Sequence, residues 1–294
     1  IAAAAAIPVH QRGLFLACRR PEALAVAQDF VAGPMGEGCR VLAASQLPEG
    51  FAPGLAGALH SPHELRVESR EAIPRLAAWL AEAQGVVFRR GAAVRAVASG
   101  EVVLGDGTLR APRILVCPGP DLVTLFPEAF ARRRTTLCKL HMLRVAAPGF
   151  TLPGAVMSDL GLARYAGYAE TASLPALRAR LEAEQAEELA HGIHLIAVQG
   201  ADGSLVVGDS HHYGATPDPF QPEEVDALIL RELAATLTIA APRVVERWIG
   251  LYPSGPEDMF AEEVAPGVKL VSVTSGTGAS TAFAIAEETL EGWL

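Results

Sequence analysis

Two short apolar runs constrain the fold more than any other feature of the chain. Ile114-Leu115-Val116-Cys117 and Val268-Lys269-Leu270-Val271-Ser272-Val273 both read as strands. The first is a continuous apolar run of the kind buried on both faces of a sheet. Each leads into a turn of small residues, Pro118-Gly119-Pro120 after the first and Ser275-Gly276-Thr277-Gly278 after the second. Between the two runs lies a separate block of strand and helix patterns. Two pieces of one sheet with other chain between them mean one domain interrupted by another, in a mixed α and β protein.

Local signals fill in this frame. Pro21 to Val31 reads as a short helix with proline in its first turn. Ser69 to Gln84 reads as a longer one, with Ser69 as cap and Gly85 as stop. Ile73, Leu76, Ala77 and Leu80 make one face of it. Strands are expected at Val86–Phe88 and Val94–Val97. Glu101–Leu104 and Thr108–Leu109 flank Gly105-Asp106-Gly107, a hairpin signal. Strands at 136–145, 194–198 and 205–208 surround an acidic helix, Leu174 to Ala190, with Ser173 as its cap. A helix at 222–238, a strand at 244–251 and a helix at 279–293 follow. The alanine-rich Ile1–Ile7 reads as the last turns of a helix.

Composition narrows the function. A net charge of −9 with no basic stripe argues against nucleic acid as a partner. The longest apolar runs are broken by charge or glycine, which argues against a membrane span. The four cysteines, Cys18, Cys39, Cys117 and Cys138, form no Cys-x-x-Cys pair. They read as reduced thiols of a cytoplasmic protein. No Gly-x-Ser-x-Gly elbow occurs, so a serine hydrolase has little support.

The strongest local signal is Val268 to Thr281: a buried strand, a glycine turn, then a helix. That arrangement gathers unpaired backbone N–H groups and the positive end of the helix dipole at one point. Its natural guest is an anion or an electron-rich ring edge, and an ordinary strand-to-helix turn would look the same. Ile114–Gly119 is a second such strand end, where ligands of open α/β sheets collect.

Together with the Ser69–Phe88 segment, Val94-x-x-Val97, the 101–110 hairpin and Trp248-x-Gly250, these features resemble the D-amino-acid oxidase and glycine oxidase superfamily of FAD-dependent oxidoreductases. The resemblance covers nearly the whole chain. Cys138-Lys139-Leu140-x-Met142-Leu143-Arg144 and Gly276-Thr277-Gly278-x-Ser280-Thr281 look like a subgroup associated with phosphonate catabolism.

The resemblance implies an interrupted, Rossmann-like FAD-binding domain with an inserted antiparallel-sheet substrate domain. Residues 1–134 would be part of the FAD-binding domain, with about 8–60 going to the substrate domain. Residues 135–250 would be the substrate domain, and 251–294 the rest of the FAD-binding domain. FAD would be held by Val94, by Cys117, Pro118 and Gly119, and by Gly250. The run Ser275, Gly276, Thr277, Gly278, Ala279, Ser280 and Thr281 would cradle the flavin edge. The activity implied is oxidation of a C–N bond in a small amine or amino acid, an aminophosphonate or N-methylated amine being the subgroup's suggestion. The alternative is an FAD-free binding or scaffold protein.

The sequence departs from the family in three places, the mildest being Ala279, where relatives often carry methionine. No Gly-x-Gly-x-x-Gly follows a strand; Gly33 to Gly38 has glycines without the strand. The expectation is therefore a chain lacking an N-terminal dinucleotide-binding unit, with exposed edges on the strands near 114 and 270 and poor solubility. Where many relatives carry Arg-Pro after the Trp-x-Gly strand, this chain has Tyr252-Pro253. Another cation must then meet an anionic substrate. Arg164, beside Tyr165 and Tyr168, is the first choice and Lys139 the second, so Arg164, Tyr168, Tyr252 and Lys139 are the substrate-site candidates. Arg164 equally reads as a solvated strand-end residue.

The histidines of His191-x-x-His194 and His211-His212-Tyr213 read as surface or hydrogen-bonded side chains, with His212 and Tyr213 as alternative pocket residues. No acidic or cysteine partner has metal-ligand spacing, so no metal is expected.

Overall fold

A computed structural model describes residues 1–293. The chain forms two compact units. The first comprises Ile1–Val87, Leu140–His211 and Phe220–Ile249, and the second Phe88–Lys139, His212–Pro219 and Gly250–Leu294. Among the described residues no helix is long and apolar enough to cross a membrane.

The first unit is built on a mostly antiparallel sheet. Gln11–Cys18 is an inner strand, paired antiparallel with Gly57–Arg66 and parallel with Ala155–Ser158. Beyond them the sheet continues through Arg40–Ala43 on one side, and through Ile196–Gln199, Leu205–Gly208 and residues 142–145 on the other. Helices cover it with one apolar stripe each. Pro21–Ala32 buries Ala23, Val26 and Ala27, and Leu174–Glu184 buries Leu174, Leu177 and Leu181. Glu223–Thr236 buries Val225, Leu228, Ile229 and Leu233. These are the i, i+3, i+4, i+7 and i+8 positions of a helix packed on a core.

A buried polar network pins this core. Arg20 donates through Nη1 to both carboxylate oxygens of Asp159 (3.0 and 2.9 Å), through Nε to Glu184 and through Nη2 to Gln185. Gln185 Nε2 in turn donates to Glu232, as does Arg19. Buried charges are tolerated when paired and hydrogen-bonded in this way. The network also explains a departure from the sequence reading. The single helix expected over 174–190 is two helices, Leu174–Glu184 and Ala186–Ala190, broken at Gln185. Its side chain there serves Arg20 and Glu232.

The second unit contains two small sheets. In one, Val268–Val273 lies between Met259–Ala265, antiparallel, and Ile114–Val116, parallel. In the other, Val94–Ala98, Glu101–Leu104 and Gly107–Arg110 form a meander in which Gly105 and Asp106 make a two-residue turn. Phe130 and Phe260 pack edge to face in its core, with the Arg133 guanidinium over the Phe260 ring. The C-terminal helix Gly278–Leu290 is anchored at its far end by Lys269. Its ammonium donates to the Thr289 carbonyl and lies over the Trp293 ring.

Several local expectations are corrected. Ser69 does not cap its helix: Glu68 occupies that position, the Ala72 N–H bonds the Glu68 carbonyl, and Ser69 is the first helical residue. Ile73, assigned to the apolar face, is 68% exposed. Val86–Phe88 is not a strand; it has no partner, and a lone extended segment gains no ladder hydrogen bonds. Ile114–Val116 is the edge of its sheet, so Leu115 is 41% exposed and the run is not buried on both faces. The strand near 270, expected to expose an edge, is paired on both sides. Ser173 precedes its helix without a side-chain cap, and Ile1–Ile7 forms turns.

Candidate functional site

The two strand ends singled out in the sequence are neighbours in the second unit. Ile114–Val116 and Val268–Val273 run parallel in register, Val268 opposite Ile114 and Leu270 opposite Val116. Their carboxyl ends therefore open side by side, and the chain leaves each through glycine at positive φ, Gly119 at 62° and Gly276 at 77°. Only residues without a Cβ adopt such angles cheaply.

Above these ends sits a cavity of about 490 Å³, within the size range of small-molecule and cofactor sites. Cys117 and Gly119 form one wall, Gly276, Gly278 and Ala279 another, and Tyr252 a third. The turn and the tyrosine are fitted closely: a Cβ on Gly276 would meet the Tyr252 ring at 3.0 Å. On Gly119 a Cβ would meet nothing within 4 Å, so that side of the wall is open. In the helix that begins at Gly278 the N–H groups of Ser280 and Thr281 already bond the Thr277 carbonyl, so those of Gly278 and Ala279 are the ones that precede the intrahelical ladder.

Hydroxyls hold the turn in shape. Ser275 and Thr277 share a hydrogen bond of 2.8 Å, and Ser280 and Thr281 donate back to the Thr277 carbonyl. These side chains brace the cradle without lining it. Pro118 and Gly250 likewise flank lining residues, while Val94 lies half-buried in the meander.

Several lining residues were not foreseen, Ser272 among them. Ser272 is buried in the cavity wall, and its Oγ has no hydrogen-bond partner. A hydroxyl inside an otherwise apolar strand was the available signal. A buried hydroxyl left unsatisfied costs roughly 1–3 kcal/mol, so its natural role is to meet a polar ligand atom.

The substrate-site candidates fall in both units. Tyr252 lines the cavity. Lys139 is buried, and its ammonium contacts both carboxylate oxygens of Asp218 at 3.0 Å. In the first unit, Arg164 ends the short helix Leu160–Arg164 and is exposed. Tyr168 is half-buried against Phe30, ring centroids 4.8 Å apart, and burial raises its pKa. Tyr165, next to Arg164, is pushed up to about 12 by burial and by the Asp209 carboxylate. Tyr213 is exposed, and His212 pairs opposite Lys139 in a short ladder.

The chain belongs to the FAD dependent oxidoreductase family, whose model matches residues 1–291. Solved structures share the fold at low identity. Glycine oxidase from Geobacillus kaustophilus superposes with a TM-score of 0.70 at 18% identity, over 97% of this chain and 72% of that one. L-proline dehydrogenase from P. horikoshii gives 0.76 at 13%, over 99% and 74%. An L-amino acid deaminase from Proteus vulgaris, with its specific insertion deleted, gives 0.69 at 16%, over 99% and 71%. No curated protein sequence matches the chain significantly.

The cavity fits the cofactor that the family requires. FAD offers a flat, largely apolar ring system rimmed by hydrogen-bonding atoms. The site answers with apolar walls, a cradle that leaves little room for a Cβ beside Tyr252, the Gly278 and Ala279 N–H groups at the helix start and the unsatisfied Ser272 hydroxyl. Gly276, Gly278, Ala279, Cys117, Gly119 and Tyr252 are the residues that would hold it.

Proposed function

We propose that the protein oxidises the C–N bond of a small amine or amino acid, an anionic one such as an aminophosphonate or an N-methylated amino acid. The observation that carries this reading is the glycine-and-tyrosine cradle with its orphaned Ser272 hydroxyl, in a chain of the FAD dependent oxidoreductase family. Bound FAD supplies the two-electron acceptor for hydride removal from the carbon beside nitrogen, the resulting imine being hydrolysed by water.

The chain's own residues bind and position. In this reading the second unit is the FAD-binding domain and the first the substrate domain. The Gly278–Leu290 helix lines the cavity along its length, from Gly278 and Ala279 to Thr289 and Leu290, so its positive dipole end lies at one end of the cavity and favours negative charge there. The walls are mostly apolar, so a ring system seated against them is shielded from water on that side, which strengthens the polar contacts it makes there. Tyr252 stands where an arginine would otherwise grip a carboxylate. Lys139 contacts Asp218; Arg164 is the first-choice cation for the substrate's anionic group and Lys139 the second. No side chain needs to take a proton from carbon, because the neutral amine's own lone pair assists departure of the hydride.

Steady-state turnover of aminomethylphosphonate, N-methylglycine and glycine, followed with an artificial electron acceptor, tests the activity. Arg164→Ala should raise KM for the anionic amines about tenfold, the effect of losing one charge-assisted hydrogen bond of roughly 1.5 kcal/mol, with kcat little changed. An unchanged KM removes Arg164 from the site. Absence of turnover with all three amines, in protein that retains flavin, sinks the amine-oxidising reading.

A further inference from the structure

We propose that His194, Asp209 and His211 form a three-ligand site for a divalent transition-metal ion of the zinc class, at the end of the hairpin formed by Ile196–Gln199 and Leu205–Gly208. The hairpin ladder pairs Ile196 with Gly208, and beyond that pair the His194 N–H bonds the Asp209 carbonyl and the His211 N–H bonds the His191 carbonyl. Backbone pairing thus carries an acidic residue and a second histidine to the side of His194. Ligand atoms of the three side chains lie within 4.8 Å of one another.

Two of those atoms are unsatisfied as they stand. His194 is 3% exposed, and its Nδ1 has no hydrogen-bond partner; Asp209 Oδ1 is likewise buried without one. The two are 3.2 Å apart. A hydrogen-bonded His–Asp pair would satisfy both atoms, and the geometry here does not. Two ligands on a tetrahedral zinc ion, at bond lengths of roughly 2.0–2.1 Å, stand roughly 3.3–3.4 Å apart. An ion bound to both would satisfy the pair with little movement.

The surrounding groups fix the ring state that coordination needs at His211 and permit it at His194. His194 Nε2 is 2.9 Å from the Tyr165 hydroxyl, so an N–H there leaves Nδ1 with the lone pair. His211 Nδ1 is 2.8 Å from the Gly192 carbonyl, which can only accept, so Nδ1 carries the proton and Nε2 the lone pair. A metal-bound histidine normally donates its other ring N–H to an oxygen in this manner. The two imidazoles lie with ring centroids 4.8 Å apart. Two histidines and a carboxylate form a donor set suited to zinc, and the Asp209 side chain, 15% exposed, provides the entry path. Burial pushes the Asp209 pKa up and the His194 pKa down, and the positive charge of Arg164, which acts on both groups, works against the ion. Its exposure to water weakens that opposition.

The test is calorimetric titration of the metal-stripped protein with ZnCl₂, with elemental analysis of the saturated sample. One Zn²⁺ per chain is expected, accompanied by a rise in Tm, because an ion that binds only the folded state stabilises it. Asp209→Asn and His211→Gln should each weaken binding by at least about tenfold, the smaller effect seen even for supporting groups. Both variants should lose the Tm response to Zn²⁺. Their metal-free Tm values establish that they fold, and Asp209→Asn changes no side-chain volume. Co²⁺ in place of Zn²⁺ should give strong visible bands in the parent protein and none in either variant. Zn²⁺ affinity unchanged in both folded variants, or no saturable binding to the parent, overturns the proposal and leaves the cluster a buried His–Asp–Tyr array.

Discussion

Replacing Gly276 with alanine tests the cofactor cradle most directly. The backbone there has φ +77°, and the added methyl would sit 3.0 Å from the Tyr252 ring. A left-handed conformation costs a non-glycine residue roughly 1–2 kcal/mol, and the close contact adds to it. The strain is relieved if the turn flattens or the ring swings away, and either movement deforms the cavity wall. Binding FAD must reverse that movement, so the same 1–2 kcal/mol is lost from affinity, a factor of roughly 5–30. The assay is FAD affinity by flavin fluorescence quenching, with urea unfolding of the same samples. Gly85→Ala is the control: φ is +69° but the site is open, with nothing within 4 Å. It should cost stability of roughly 1 kcal/mol and leave FAD affinity alone. If both variants bind FAD as the parent does, the Gly276–Tyr252 contact is not part of the cofactor site.

Asp159→Asn should lower stability in urea by about 3 kcal/mol, the low end of the cost of leaving a buried charge unpaired, since Glu184 still faces Arg20. A change under about 1 kcal/mol, the scale of a surface pair, would mean that the network is not desolvated. Among the thiols, Cys117 is exposed on the cavity and Cys18 and Cys138 are buried. Mass spectrometry after limited alkylation should find Cys117 modified well before those two and protected by added FAD; equal labelling with and without FAD would separate Cys117 from the site. Burial pushes the Cys18 thiol from 9.0 up to about 12. Between those values the folded state holds a proton that the unfolded state has lost, so stability falls as pH rises above 9, by up to roughly 1.4 kcal/mol per pH unit. Cys18→Ala should flatten that alkaline decline, and an unchanged slope would assign it to other groups.

Much of the architecture is legible in the residues because it rests on short-range physics. Pro21 starts a helix, Gly85 stops one in a left-handed turn, and Gly105-Asp106 closes a hairpin, each through the backbone angles its own side chain permits. The apolar runs at 114 and 268, with glycine turns after them, also announce a ligand-facing sheet end from local composition alone. What they cannot announce is their neighbours. Only the tertiary structure decided that Ile114–Val116 is an edge and that Met259–Ala265 covers the other side of Val268–Val273. Only it decided that Gln185 breaks a helix to serve Arg20 and Glu232, and that Ser272 is left unsatisfied in a cavity wall. The same holds for Asp209: its separation from His194 in sequence is no metal-ligand spacing, and hairpin register alone brings the two side chains within 3.2 Å. Strand pairing is a long-range contact. Its partners are chosen by the burial of the whole sheet rather than by any window of sequence, so the elements were readable one by one and the sites only once those elements met.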